Sequence, residues 1–316
     1  MEDNMKVLIY GAGTIGLTYG WMLSNAHDIA VLVRGEKYEA ATAEYSFDIW
    51  DLRGKAKERK SFQYIPSIVT NMEPIYDLIL VTVNCYQLEE ILPILKEKKG
   101  KAIIVFLQNN WDILGTVRNY FNDNDYVLGF PAQVGGGREN NCIKSIIFDA
   151  ETILGQTENY IAEEILTCKS EFEKAGIKIV LQEKMADWLR VHIIQQSISA
   201  GAIIKAGNYE LFIKNRKAIK EMIIAYREGL AVCDSFGIST RKMSPAKMFY
   251  YPTIVTFALK KILNQEETIM MVNGHMKHGI TEWIKGYYEI LECGIRRNIE
   301  MLTWESYASF IDDYLK

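Results

Sequence analysis

The chain opens on an apolar run of strand length, residues 5–10, that stops at Gly11. Apolar residues at helical spacing (Ile15, Leu17, Tyr19, Met22, Leu23) follow within a few positions. Further runs of strand length recur at 29–33, 76–83, 102–107, 126–130, 143–148, 152–154 and 175–180. The unbroken, β-branched run at 76–83 predicts a strand covered on both faces, as in a parallel sheet. Helices are predicted over 88–98 and 158–174, short strands and turns over 45–75, and a flexible turn over 131–138, where Gly135, Gly136 and Gly137 stand together. From Glu183 the pattern turns helical throughout, with helices predicted over 185–207, 214–236, 243–263, 267–291 and 296–314. This single change of period predicts two domains: an α/β doubly wound sheet over 1–181 and an all-helical domain over 182–316.

The first strand and helix meet in Gly11-Ala12-Gly13-Thr14-Ile15-Gly16, a G-x-G-x-x-G at a strand-to-helix turn, the context in which that pattern carries meaning. Gly11 permits the tight turn, Gly13 removes the side chain that would block a pyrophosphate, and Gly16 lets the helix lie close on the strand. The free N–H groups at the helix start, at Thr14, Ile15 and Gly16, then face the phosphates. A dinucleotide is the expected ligand and a Rossmann-type fold the expected frame. Arg34 follows the second strand, where an acidic residue would take the ribose 2′-OH of NAD and an arginine pairs with the 2′-phosphate of NADP. NADP is therefore the expected cofactor, with Glu36 the nearest acidic competitor. Asn84 and Gln87 follow the 76–83 strand, and Gln108-Asn109-Asn110 follow 102–107, at the edge where open α/β sheets bind ligands. Asn84, Asn109 and Ala132 complete the expected cofactor contacts; the amides at 108–110 could equally cap a helix starting near Trp111.

Composition narrows the picture without redirecting it. With 49% hydrophobic and 24% charged residues and a net charge of −4, the chain reads as an ordinary globular protein. No dense Lys/Arg block with interleaved aromatics is present, so no nucleic-acid surface is expected. The five cysteines are scattered and odd in number with no C-x-x-C, which predicts reduced thiols. His275 and His278 stand three apart but lack a third ligand in any zinc pattern, so no metal is expected. No signal peptide or membrane span is expected, and a cytoplasmic location follows.

In the order in which they occur, the glycine turn, Val33-Arg34, the 81–87 strand end, Gln108-Asn109-Asn110, Ala175-Gly176-Ile177, Trp188 and Thr281-Glu282 resemble the ketopantoate reductase (2-dehydropantoate 2-reductase) family. That family sits among the two-domain dehydrogenases similar to 6-phosphogluconate dehydrogenase. The resemblance implies NADPH-dependent reduction of a 2-oxo acid to a 2-hydroxy acid, in the setting of pantothenate biosynthesis. It implies catalytic roles at Arg190, where the family has lysine, and at Glu282. The family's cofactor-contacting lysine falls on Asn84, its two asparagines on Ile194 and Ile198, and its serine on Met270.

These departures carry physical weight. A lysine can give a proton to a nascent alkoxide, whereas an arginine keeps its charge and is suited to clamping a carboxylate or steadying an oxyanion. Arg190 is thus the expected carboxylate anchor, with Glu282 on a substrate hydroxyl and Asn109 near the nicotinamide. His192 lies about 200° around an ideal helix from Arg190, so the two do not share a face. The two isoleucines suggest a larger or more apolar substrate than ketopantoate. A catalytically impaired NADP-binding sensor or partner module on the same fold is the alternative. Aromatic-rich stretches such as 249–251 and 287–288 leave a homodimer possible.

Overall fold

A computed structural model of the chain describes residues 4–33, 44–55, 57–139, 142–156 and 162–316. Two compact units divide at Met1–Ala186 and Asp187–Lys316. Arg34 and Glu36, on which the choice between NADP and NAD was read, lie outside the described residues.

The first unit is built on an eight-stranded sheet: β1 (Lys6–Tyr10), β2 (Asp28–Leu32), β5 (Ser67–Val69), β6 (Leu78–Val81), β7 (Ile103–Leu107), β8 (Tyr126–Phe130), β11 (Thr152–Gly155) and β12 (Ile179–Gln182). Their spatial order is β12-β11-β8-β7-β6-β1-β2-β5. The six strands β5-β2-β1-β6-β7-β8 are all parallel and reproduce the 3-2-1-4-5-6 order of the dinucleotide-binding sheet. β11 joins the edge antiparallel to β8. β1 lies between β2 and β6, with Val7 opposite Ile29 on one side and Leu78 on the other, and its central residues Val7, Leu8 and Ile9 are fully buried. That is why β1 and β6 read as unbroken apolar runs.

The reversal of strand order puts the first crossover helix, α1 (Thr14–Leu23), at the centre of the unit. α1 buries Leu17, Tyr19, Met22 and Leu23, each burial worth about 1.5–3 kcal/mol. A second sheet of order β4-β3-β10-β9, formed by β3 (Tyr45–Asp51), β4 (Glu58–Tyr64), β10 (Cys142–Ile147) and β9 (Val134–Glu139), also packs on α1. Trp21 of α1 meets Phe62 at 5.1 Å between ring centroids, and Phe62 stacks on Phe47 at 5.4 Å. Polar pins add to the apolar contact: Thr18 Oγ1 and Ser145 Oγ are 2.6 Å apart, and Tyr19 Oη and Thr152 Oγ1 2.5 Å apart.

The glycine run expected as a flexible turn over 131–138 is instead β9, paired antiparallel with β10. A Cβ on Gly136 would lie 2.1 Å from the carbonyl oxygen of Lys144, and its φ of +132° suits only glycine. Gly136 thus serves the close approach of two backbones. On the outer faces, α2 (Leu88–Lys98) buries Leu88, Ile91, Leu92 and Leu95 at helical spacing, with Glu89 and Glu90 in its first turn and Lys96 and Lys98 in its last, as the helix dipole favours. α3 (Ile113–Val117) follows β7. The described part of the helix predicted over 158–174 is α4 (Glu163–Lys174). It ends at Gly176, whose φ of +77° and bond from Ile177 N to Phe172 O close the last turn. That cap displaces the final strand to Ile179–Gln182, later than the predicted 175–180.

The second unit is helical. α5 (Met185–Ala206) is followed by α6 (Tyr209–Lys214), α7 (Arg216–Asp234), α8 (Pro252–Leu263), α9 (Glu266–His278), α10 (Ile280–Arg296), α11 (Leu302–Glu305) and α12 (Ala308–Leu315). Three helices predicted as continuous are broken here, each for a local reason. Pro245 and Pro252 confine the start of the 243–263 stretch to a short 3₁₀ segment, Ala246–Tyr250, because neither ring nitrogen can donate to the ladder. Gly279 separates α9 from α10. In the 296–314 stretch, helix resumes only at Leu302, where the Glu228 carboxylate on α7 accepts from Thr303 N and Trp304 N at 3.1 and 2.7 Å and caps α11.

Small residues set the spacing of the long helices. A Cβ on Gly229 of α7 would lie 2.6 Å from Ile194 Cγ2 and 2.8 Å from Trp304 Cζ3. One on Gly286 of α10 would lie 2.4 Å from Ser197 Oγ. Trp304 stacks on Tyr287 at 5.4 Å, and Tyr287 Oη donates to the Trp304 carbonyl at 2.6 Å. Among the described residues no helix is long and apolar enough to cross a membrane.

Candidate nucleotide and substrate sites

The turn between β1 and α1 has the three properties expected of it. Gly11 has φ +128°, and a Cβ on it would sit 2.7 Å from Thr82 Oγ1, so both conformation and space require glycine. Thr82 fixes the turn by donating from Oγ1 to the Gly11 carbonyl at 3.0 Å. Gly16 abuts the strand end: a Cβ there would lie 2.1 Å from Gly11 O and 2.4 Å from Thr82 Oγ1. Gly13 is the opposite case. It is exposed, has φ −89°, and has nothing within 4 Å of where a Cβ would stand. Gly13 is the N-cap residue of α1, brings no side-chain cap, and no acidic residue occupies the first turn. The first amide to close an intrahelical bond is Leu17 N to Gly13 O, at 2.9 Å. The amides of Thr14, Ile15 and Gly16 precede it, with the positive end of the helix dipole behind them. An open cradle of this kind fits a diphosphate.

Neighbouring strand ends bring the other candidates to the same edge of the sheet. Asn84 sits just beyond β6, where its backbone N–H donates to Gln87 Oε1 at 3.3 Å and its Nδ2 to Tyr86 Oη at 2.8 Å. Gln108, at the end of β7, donates from Nε2 to the Val83 carbonyl at 2.7 Å, which ties this end to the loop beside Gly11. Its Oε1 is buried with no hydrogen-bond partner among the described residues. Asn109 is buried, and Asn110 accepts from Asp112 N at 3.0 Å, the capping role weighed for these amides. Ala132 lies in the turn after β8, its N–H donating to Phe130 O at 2.9 Å. The next residue, Gln133, is fully buried with neither amide atom hydrogen-bonded among the described residues. Sequence reasoning passed over Gln133, because a glutamine in a glycine-rich loop gives no sign of burial. At the opposite edge of the sheet a depression of about 380 Å³ is lined by Lys96, Lys99, Arg118 and Asp125. Two ion pairs stand in it, Lys99 with Asp125 at 3.0 Å and Arg118 with Asp123 at 2.6 Å.

In the helical unit, Arg190 projects from α5 onto Phe236, its guanidinium carbon 4.7 Å from the ring centroid. Its charge reaches Cys233 as well: burial pushes that thiol up, and the Arg190 guanidinium pulls it back down. Glu282 lies in the first turn of α10. Arg297, at the far end of that helix, stacks on the same Phe236 ring, and about 22 Å of helix separates it from Glu282 at 1.5 Å per residue. The structure therefore gathers Arg190 with Phe236 and Arg297, and does not gather it with Glu282. Ile194 packs against Gly229 in the interior of the helical unit rather than lining a pocket. His192 stacks on Trp188 at 4.8 Å, and burial lowers its pKa to about 4. Its imidazole is neutral at pH 7 and a poor proton source. All five cysteines are free thiols, and no metal-binding cluster of His, Cys, Asp or Glu occurs among the described residues.

Residues 7–159 match the sequence model of the family described as ketopantoate reductase PanE/ApbA. The chain is 25% identical over 228 residues to the 2-dehydropantoate 2-reductase of Listeria monocytogenes, covering 70% of this chain and 71% of that protein. Its fold is similar to the crystal structure of 2-dehydropantoate 2-reductase from Geobacter metallireducens, with a TM-score of 0.72 at 17% identity over 98% of this chain and 100% of that one. It is equally similar to a D-mandelate dehydrogenase solved with NADH and anilino(oxo)acetate, with a TM-score of 0.72 at 14% identity over 98% of this chain and 97% of that one.

Proposed function

We propose that this chain, a divergent member of the ketopantoate reductase family, is an NADPH-dependent oxidoreductase that reduces a 2-oxo acid to the 2-hydroxy acid. The observation that carries the reading is the turn at residues 11–16, where one glycine is forced by conformation, one by packing, and the third stands open at an uncapped helix start. The amides of Thr14, Ile15 and Gly16 would hold the diphosphate, Arg34 the 2′-phosphate, and Asn84, Asn109 and Ala132 would border the rest of the cofactor. When bound, the nicotinamide supplies a hydride to the carbonyl carbon.

The chain's own residues then have to hold the acid and manage the oxygen left behind. Arg190 anchors the carboxylate and keeps its charge throughout, so it does not supply the proton. His192, neutral at pH 7 and stacked on Trp188, is not suited to that either. Lys184, a tyrosine or water is left as the donor. Glu282 would reach a hydroxyl only on a substrate long enough to span its separation from Arg190. The reductase relatives and the D-mandelate dehydrogenase favour turnover over a silent nucleotide-binding module.

Steady-state oxidation of NADPH against a panel of 2-oxo acids tests the reading. Turnover with at least one acid is expected, and silence with all of them, with NADPH binding shown separately, rejects it. Titration of NADPH against NADH in wild type and Arg34→Ala tests the cofactor choice: the preference for NADPH is expected to vanish in the variant.

A further inference from the structure

Both tightly packed glycines of the 11–16 turn press on the same atom. A Cβ on Gly11 would lie 2.7 Å from Thr82 Oγ1, and one on Gly16 would lie 2.4 Å from it. That hydroxyl donates to the Gly11 carbonyl at 3.0 Å, and Thr82 N donates to the Tyr10 carbonyl at 2.9 Å. Thr82, the first residue after β6, therefore grips the last residue of β1 and the first residue of the turn together. A threonine hydroxyl has one proton to give, and here the Gly11 carbonyl takes it. Because the peptide unit is planar, the bond that aims this carbonyl also aims the Ala12 N–H on the opposite edge of the same plane. A carbonyl released from Thr82 is free to rotate, and the amide rotates with it.

Val83, the next residue, is held from the neighbouring strand. Gln108, just past β7, donates from Nε2 to the Val83 carbonyl at 2.7 Å, while its own backbone N–H donates to Gly129 O on β8 at 3.3 Å. Gln108 is buried, and its Oε1 has no hydrogen-bond partner among the described residues. A buried acceptor left bare is unfavourable, so the bond from Nε2 is made against a standing desolvation cost. Two hydrogen bonds thus cross three adjacent strand ends, from β7 to β6 at Val83 and from β6 to β1 at Thr82.

We propose that Thr82 and Gln108 are positioning residues of the nucleotide site, which act through the backbone to fix the direction in which the amides of the 11–16 turn point. The proposal rests on the reading of that turn as the diphosphate cradle. It goes beyond it by placing part of the affinity on two strands outside the glycine motif. Amides already aimed at a diphosphate lose little freedom when it binds. A turn that has to be ordered first gives up part of the binding free energy to that ordering.

The test turns on a single oxygen. Thr82→Ser and Thr82→Ala both remove the γ-methyl and share its packing loss, but only Thr82→Ala removes the donor. Kd for NADPH, read by fluorescence, is expected to rise about three- to tenfold in Thr82→Ala and to stay within about twofold of wild type in Thr82→Ser. Gln108→Met keeps the length of the side chain without its donor and is expected to raise Kd by a similar factor. Thr82→Ala combined with Gln108→Met should raise it by less than the product of the two, because both bonds act on one turn. Equal Kd in Thr82→Ser and Thr82→Ala overturns the proposal, whether both are weakened or neither is. A Kd unchanged in Gln108→Met overturns it as well, and this arm stands even where Thr82→Ala fails to fold. Turnover separates these outcomes from failure of the reductase reading. The difference between serine and alanine, seen in a chain that binds NADPH but reduces no 2-oxo acid, keeps the proposal and rejects the reductase. A wild-type chain that binds no NADPH rejects the cradle, and the proposal with it.

Discussion

Gly16 touches Gly11 so closely that a methyl group on it would stand 2.1 Å from the Gly11 carbonyl oxygen, whereas the space above Gly13, three residues earlier, is empty. The same added atom therefore has opposite consequences at the two positions. Gly16→Ala is expected to cost about 3 kcal/mol of stability, because the obstacle is backbone that cannot step aside. Gly13→Ala should change stability by less than about 1 kcal/mol, since its φ of −89° suits alanine and only the helix cap is affected. It should still weaken NADPH binding about tenfold or more by filling the cradle. Thermal melts and a fluorescence titration of each variant check the pair. Equal NADPH affinity in wild type and Gly13→Ala would remove the diphosphate from this turn.

The resemblance read from the sequence puts an asparagine of the family at Ile194, and restoring that asparagine looks at first like a repair. Packing argues otherwise, because the Ile194 Cγ2 methyl fills the space left by Gly229 and the residue has no exposed surface. Ile194→Asn would bury an amide with no partner, at a cost of about 3–5 kcal/mol. The expected outcome is a lower urea midpoint with no gain in turnover, even combined with Arg190→Lys.

His192 makes stability depend on pH in a defined direction. Its pKa falls from 6.5 to about 4 on folding because burial disfavours the imidazolium. Below 6.5 the unfolded chain takes up a proton that the folded chain refuses until about pH 4. The stability present above pH 6.5 is thus lost progressively as pH falls through that window, by at most about 3 kcal/mol. His192→Phe keeps the stack on Trp188 and should flatten this part of the profile. Urea midpoints at pH 5 and 7.5 in both proteins measure it, and parallel slopes would show that the imidazole is not the cause.

Gln133 buries two amide atoms without hydrogen bonds among the described residues. Gln133→Met keeps the length and removes both polar atoms. It is expected to stabilise the nucleotide-free protein by about 1–3 kcal/mol, the desolvation cost of a buried unsatisfied group. A fall in the melting temperature would mean that the amide is satisfied after all.

The parallel sheet was legible because each central strand is covered on both faces and so wrote itself as an apolar run, with α1 and α2 visible by their period. The four-stranded sheet was not, since β3 pairs in parallel with β10, with Ser46 opposite Cys142, and no local pattern announces so distant a partner. Gly135, Gly136 and Gly137 misled for a related reason. Glycine reads as a turn from neighbours alone, and only the pairing of β9 with β10 explains the need for bare backbone at Gly136. In the helical unit the apolar period persisted across Pro245, Pro252 and Gly279 because the buried face continues while the helix does not. At the candidate site, the glycine turn was readable because its chemistry is contiguous. The meeting of Arg190 and Arg297 on Phe236 was not, as an arginine at a helix C-cap looks like any solvated charge until the ring beside it is known.

The two side-chain bonds that hold α1, Thr18 to Ser145 and Tyr19 to Thr152, reach 127 and 133 residues ahead along the chain. During synthesis the turn at residues 11–16 emerges from the ribosome well ahead of both its distant fastenings. A nascent chain halted before Ser145 carries the whole glycine motif without either tether. The bracing of this helix is a late acquisition of the growing polypeptide, completed only when the 142–155 segment arrives.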